Sequence, residues 1–258
     1  MEQYLNTPIK EIITQFPKVG EILEEYNIGC LPCNVGSCLF KDILEIHNLS
    51  EEDEQELMRR IAKVIYPNRE IVIPKIKRKR EKTGEIKYSP PIKKLVDEHV
   101  VIKKLVALIP RIVKNLDVES NESREIIQQS IEFIRNYADK YHHAKEEEIL
   151  FKYFDESLDI LQAMHQDHES ARAHVRAILE GLDKKDKEAI GEHFLAYHEL
   201  LSEHIKKEDE ILYPWLDRNL STTQVGELYS KFGEVDGEFG GAPKKYEEFV
   251  NSLEERFK

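Results

Sequence analysis

Two stretches, HHAKEEEILF (142–151) and HIKKEDEILY (204–213), repeat one another at an offset of 62 residues (204 minus 142). Each begins with HxxxE, and residues four apart on a helix share one face about a turn apart. Each stretch can therefore bring an imidazole nitrogen and a carboxylate oxygen to one place. A looser repeat, DEHVVIKKLVALI (97–109) against QDHESARAHVRAI (166–178), sets His99 over His168 at an offset of 69 residues (168 minus 99). The spacing predicts a pseudo-twofold axis with His99, His142 and Glu146 on one side and His168, His204 and Glu208 on the other.

The surrounding apolar pattern predicts the helices that carry these residues. From Pro91 onward the spacing alternates between three and four residues, as expected of helices packed side by side. The first helix shows Ile92, Leu95, Val96, His99, Ile102, Val106 and Ile109, with Pro110 expected to kink it. The second starts after Asn121 and runs through Ile127, Ile131, Ile134 and Ala138 to His142. The third shows Leu161, Met164, His168, Ala171, Val175, Ile178 and Leu182. The fourth carries Ile190, Phe194, Tyr197, Leu201, His204, Glu208, Ile211 and Trp215. Gly181 and Asn219 read as helix stops. The result is an all-α, up-down-up-down four-helix bundle over residues 90–220. Residues 221–258 read as a C-terminal helical extension with a turn at Gly237, Gly240 and Gly241.

Upstream, residues 1–66 read as a small helical domain, with Thr7-Pro8 and Pro17 as helix starts, Leu39–Ile46 as a short amphipathic helix, and Ser50 with Asp53 as a capping box. Residues 67–89 form a basic linker containing Lys75, Lys77, Arg78, Lys79, Arg80 and Lys82, with a short extended piece over 71–73. Between these lies IGCLPCNVGSC, which places Cys30, Cys33 and Cys38 in a C-x2-C-x4-C array. Three cysteines so close together suit redox or metal chemistry better than a secreted disulfide framework. Burial as small structural residues remains the alternative.

His99, His168, His204 and Glu208 occupy core positions where Leu or Ile would serve packing. A buried glutamate costs several kcal/mol unless a counter-charge pairs with it, and a cation beside imidazoles supplies one. Six such ligands exceed one tetrahedral zinc and suit two bridged ions. Nine of the ten histidines lie between residues 99 and 204, a density that solvation alone does not explain. His174, His193 and His198 do not repeat and read as surface or core polar groups. Glu147 and Glu148 read as a solvated helix face, and Tyr141 and Tyr197 as aromatic core. His143 with Glu147 forms a second HxxxE and is an alternative to His142, although the repeat alignment favours 142.

The ordered set Glu98-His99, His142–Glu146, Asp167-His168 and His204–Glu208 resembles the hemerythrin-like proteins over residues 90–220. The resemblance implies two iron ions in a non-haem di-iron centre, oxo- or hydroxo-bridged, with Glu146 and Glu208 bridging and the four histidines terminal. Oxygen-carrying hemerythrins have a further histidine four residues before the position of His168. Here that place is Met164, and His165, three residues before, is the candidate, since such a pair can share a face. Manganese or mixed occupancy stays open, because carboxylate–imidazole sites accept several divalent ions. The N-terminal cysteine domain ahead of such a bundle resembles the arrangement in proteins that repair iron–sulfur centres, with GCLPC here in place of adjacent cysteines.

Three functions follow as expectations. One is binding of O2 or NO in sensing or stress protection. Another is iron–sulfur repair or iron donation to an iron–sulfur protein. The third is an oxidase or peroxidase, acting on O2, NO or peroxide, with electrons from a transfer partner entering through the cysteines. Whether the chain is an enzyme stays open, as does a homodimer. The net charge of −12 argues against nucleic acid as a partner. No apolar run is long enough to span a membrane, and the opening MEQYLNTPIK lacks a signal-peptide pattern, so the expected location is cytoplasmic.

Overall fold

The computed structural model describes residues 2–26, 28, 39–41, 49, 51–67, 69 and 88–257. The expectations for Cys30, Cys33, Cys38, most of the 39–46 helix, Ser50 and the 71–73 extended piece lie outside these residues. The described residues are helical apart from turns and an isolated antiparallel bridge between Pro8 and Leu39. No described helix is long and apolar enough to cross a membrane. The chain divides into two compact units, residues 1–87 with 157–163 and residues 88–156 with 164–258.

The first unit contains α1 (Glu2–Leu5), α2 (Ile9–Gln15), α3 (Pro17–Glu25) and α4 (Glu51–Ile65). Pro17 opens α3 as expected, whereas Pro8 rather than Thr7 occupies the N-cap of α2. Ile12, Val19, Leu23, Phe40, Leu57 and Ile61 close a small core of their own, each buried side chain contributing about 1.5–3 kcal/mol.

The second unit is the bundle. Its first leg is α5 (Pro90–Lys114), and its second is α6 (Asn121–Phe133) continued by π-helical turns over Ile134–His143 and Lys145–Leu150. The third is α7 (Asp159–Lys184). The fourth is α8 (Lys187–Lys207), a π-helical turn over Glu208–Leu212, and α9 (Tyr213–Asn219). The starts are written in polar side chains: Ser120 accepts from Ser123 N and Asp186 from Ala189 N, satisfying donors that helix geometry leaves over. Pro110 lies inside α5, which continues to Lys114.

The second leg departs from the expected α-helix after Phe133. The i→i+5 turn is wider than the α-turn and is found often at functional sites. It recurs at both HxxxE repeats, on Lys145–Leu150 and Glu208–Leu212. In an α-helix successive side chains diverge by about 100°, and the wider turn narrows that angle. His142 and His143 are accordingly both buried.

Gly181 does not stop the third leg. A Cβ there would sit 2.9 Å from Ile190 Cγ1, so the glycine permits close approach of α7 to the start of α8. The stop falls at Lys185, which takes φ 55°. Asp186 N–H reaches Gly181 O at 2.8 Å and Lys185 N–H reaches Leu182 O at 3.3 Å, the two bonds of a Schellman motif. Asn219 does end α9. Two helices follow, α10 (Thr222–Phe239) and α11 (Ala242–Arg256), joined at Gly240 with φ 54°. Both pack on α5, and α10 also meets Lys145–Leu150. The main core runs along the bundle through Ile109, Ile127, Ile178, Ile190 and Phe194.

Candidate metal centre

Four histidines converge from the four legs, each at most 1% exposed: His99 from α5, His142 from the second leg, His168 from α7 and His204 from α8. Their Nε2 atoms meet in pairs, His99 with His142 at 2.9 Å and His168 with His204 at 3.0 Å. Between the pairs lie Glu146 and Glu208, both wholly buried. Glu208 Oε2 is 3.3 Å from His99 Nε2 and 3.2 Å from His204 Nε2. Glu146 Oε2 is 3.8 Å from His142 Nε2 and 3.6 Å from His168 Nε2. Each carboxylate thus reaches one histidine of each pair, which is the placement of a bridge.

Every one of these histidines has a carboxylate on its other nitrogen. His99 Nδ1 donates to Asp209 Oδ1 at 2.7 Å, His142 Nδ1 to Glu98 Oε2 at 2.9 Å, His168 Nδ1 to Glu147 Oε1 at 2.5 Å and His204 Nδ1 to Asp167 Oδ2 at 3.4 Å. A carboxylate behind Nδ1 fixes the ring and turns the Nε2 lone pair inward, as metal-bound imidazoles require. Each outer carboxylate is held in turn by a cation: Asp209 by Lys103 at 2.7 Å, Glu98 by Lys145 at 2.5 Å, Glu147 by Arg172 at 2.9 Å and Asp167 by Lys207 at 3.6 Å. The arrangement repeats at the sequence offsets, with Glu98 matching Asp167 and Glu147 matching Asp209.

Buried polar atoms without partners show what the cluster is built for. Glu146 Oε2, both carboxylate oxygens of Glu208 and His143 Nδ1 accept or donate no hydrogen bond. Leaving such an atom unsatisfied costs about 1–3 kcal/mol, more for a charged group. Each Nε2 pair, 2.9–3.0 Å apart, would hold one divalent ion between its two nitrogens. Three groups of side chains have ligand atoms within 4.8 Å of one another: His99, His142 and Glu208; His143, His168 and His204; and Glu146, His168 and Glu208. The donor set therefore fits two cations.

Electrostatics divide the cluster in the same way. Burial, then the charge of His99, pushes His142 down to about 4. Burial, with His143 and His204 beside it, holds His168 well below its usual value. Burial also works against the charged form of His204, yet Glu208 and Asp167 hold it up at about 9. Against the same burial, Asp209 and Glu208 raise His99. Burial and the neighbouring charge of Glu208 push Glu146 well above the carboxylate range. For Glu208, burial is outweighed by His204 and His99, which hold it well below that range.

The structure thus gathers His99, His142, Glu146, His168, His204 and Glu208 in one place. His165 lies elsewhere: it is partly exposed and meets Phe151 edge-on at 5.6 Å. His143 joins instead, stacked on His168 at 3.8 Å with 16° between the rings. It faces the His168–His204 pair while His142 faces His99, so both adjacent histidines line the cluster. Glu147 is not a solvated residue, being bound to His168 and Arg172, while Glu148 is exposed. His174 and His193 meet at 3.2 Å through their Nδ1 atoms, and His198 Nδ1 donates to Val106 O at 2.8 Å. Tyr213 was missed. Its hydroxyl donates to Glu146 Oε1 at 2.6 Å and lies 3.5 Å from both His99 Nε2 and His142 Nε2. The signal was the final letter of the repeat, Phe151 against Tyr213.

Residues 90–216 match the family model of the hemerythrin HHE cation binding domain. This part of the chain belongs to the hemerythrin family. The hemerythrin domain coincides with the four legs that carry the cluster, and cation binding is the property its donor set fits. Similar curated proteins are uncharacterized proteins of Mycobacterium bovis and Mycobacterium tuberculosis H37Rv, each 21% identical over 158 residues, 55% of this chain and 62% of theirs. The chain thus spans less than two thirds of the length of the relatives it matches. No solved structure matches.

Proposed function

We propose that the hemerythrin domain holds two iron ions and binds O2 or NO there, in sensing or in protection against oxidative or nitrosative stress. The observation that carries this reading is the pair of inward Nε2–Nε2 couples around two carboxylates with three partnerless oxygens. His99 and His142 would hold one ion. His168 and His204 would hold the other, with His143 as a third imidazole beside it. Glu146 and Glu208 would join the two. Iron in such a ligand field supplies a redox-active centre able to take a diatomic ligand.

The residues around the cluster define what can reach it. Ligands at most 4% exposed admit only a small diffusing molecule and exclude a polar metabolite or a polymer. Tyr213 keeps its proton, because burial and the charge of Glu146 push its hydroxyl well above the usual value. It therefore donates to Glu146 Oε1 and fixes the carboxylate's orientation.

Titrating the reduced, iron-loaded full chain with O2 and, separately, with NO while following visible absorption tests the reading. A saturable spectral change with one diatomic molecule per iron pair supports it. No change with either gas would overturn it. Irreversible oxidation without a bound form would favour the oxidase or peroxidase reading, and transfer of iron to an apo iron–sulfur acceptor would favour repair.

A further inference from the structure

Three of the four cations behind the outer carboxylates reach solvent: the side chains of Lys103, Lys207 and Arg172 are 50%, 44% and 26% exposed. Lys145 is wholly buried. The repeat places Lys145 opposite Lys207 (207 minus 145 is again 62), so two equivalent positions have opposite surroundings. The difference comes from α10, which lies beyond the matched residues 90–216.

An ammonium group has three N–H donors, and a buried one must find acceptors for them within the protein. Lys145 Nζ has Glu98 Oε1 at 2.5 Å, Asp236 Oδ1 at 3.2 Å and the face of Tyr141 with its ring centre at 3.3 Å. Asp236 comes from α10, as does Phe232, whose ring centre lies 5.8 Å from Nζ. Asp236 is itself fixed from two further sides. It accepts from the Tyr141 hydroxyl at 2.8 Å and pairs with Lys94. An unbroken chain therefore runs from Asp236 through Lys145 and Glu98 to His142.

We propose that α10 forms an outer layer of the metal centre. In it Asp236 acts as a positioning residue for the ion at His99 and His142, so that this ion is released more slowly than its neighbour at His168 and His204. The inference rests on the two-ion reading above. With a neutral amide at 236 the buried Lys145 ammonium loses one of its two carboxylate partners, and Lys94 and the Tyr141 hydroxyl compete with it for the acceptor that remains. Lys145 then moves, Glu98 follows its strongest partner, and the ring of His142 loses the carboxylate that orients it. On the opposite side Lys207 can exchange Asp167 for water at little cost, so that half gains no such lock.

Release of iron from the loaded full chain to excess chelator tests this, with Asp236→Asn as the variant and Lys207→Gln as its counterpart on the other half. The wild type should release its two ions in two phases. Asp236→Asn should accelerate the slow phase about tenfold, the lower end of what loss of an outer partner costs in metal affinity, and leave the fast phase alone. Lys207→Gln should leave the slow phase alone. A merely structural role for Asp236 would accelerate both phases together, and that result overturns the proposal. So would wild-type rates in Asp236→Asn, or a single phase for both ions in the wild type. Failure of the wild type to load two ions would instead defeat the two-ion reading itself, and this inference with it.

Discussion

Replacing Glu146 by Gln should make the metal-free protein more stable and the metal-loaded protein less so. Glu146 is wholly buried; Oε1 accepts from Tyr213, while Oε2 has no partner. The amide of Gln keeps an acceptor for Tyr213. In place of Oε2 it offers N–H donors toward Glu208, whose oxygens both lack partners and one of which lies within 4.8 Å of a Glu146 oxygen. Removing a buried unsatisfied group recovers about 1–3 kcal/mol. In a unit the size of residues 88–156 with 164–258, that is a rise in Tm of about 2–12 °C. The same change removes a ligand that both ions share. The wild type should gain about 2.7 kcal/mol from metal present at a hundred times its Kd, and the variant should gain little of it. Thermal unfolding of both proteins, with chelator and with added Fe(II), reads the two effects separately. A metal-free Gln variant that melts below the wild type would refute the reasoning, because Glu146 would then be an ordinary structural carboxylate.

Other outcomes follow from the same geometry. Glu208→Ala should strip both ions, since one bridge serves two, while His174→Ala should leave metal content unchanged; equal loss in both would break the ligand assignment. Metal uptake should release protons, because His204, held up at about 9, carries one near neutral pH on a nitrogen the metal needs, and Asp209 and Glu208 raise His99 in the same direction. Below about pH 9 the proton displaced from His204 weakens apparent affinity about tenfold per unit fall in pH, and uptake without proton release in weak buffer would contradict this. Gly181→Ala should lose about 1–3 kcal/mol in denaturant unfolding, since its Cβ would press on the buried Ile190, and an unchanged midpoint would argue against the close approach.

The repeats carried most of what could be read in advance. Because 142–151 and 204–213 are alike over ten positions, and 97–109 loosely resembles 166–178, the helices, their order and six of the residues that converge were legible as a pattern. The family match over residues 90–216 agrees with that reading of the fold. What escaped has physical causes. A π-turn shifts backbone hydrogen bonds by one residue and leaves no compositional trace, so the inward turn of His143 could not be read from an α-helical wheel. Lys145, Glu146, Glu147 and Glu148 look alike as a charged run, yet they are respectively buried, buried, half-buried and exposed, because α10 and α7 cover three of the four. Gly181 resembled a cap because close packing and positive φ both select glycine, and only the position of Ile190 distinguishes them.

The central claim is two ions in the hemerythrin domain, and the most direct measurement is metal per chain by elemental mass spectrometry on the full-length protein, paired with its visible spectrum. The account predicts two irons per chain, and none retained in Glu208→Ala. One zinc per chain, or no metal after loading with Fe(II), would contradict it.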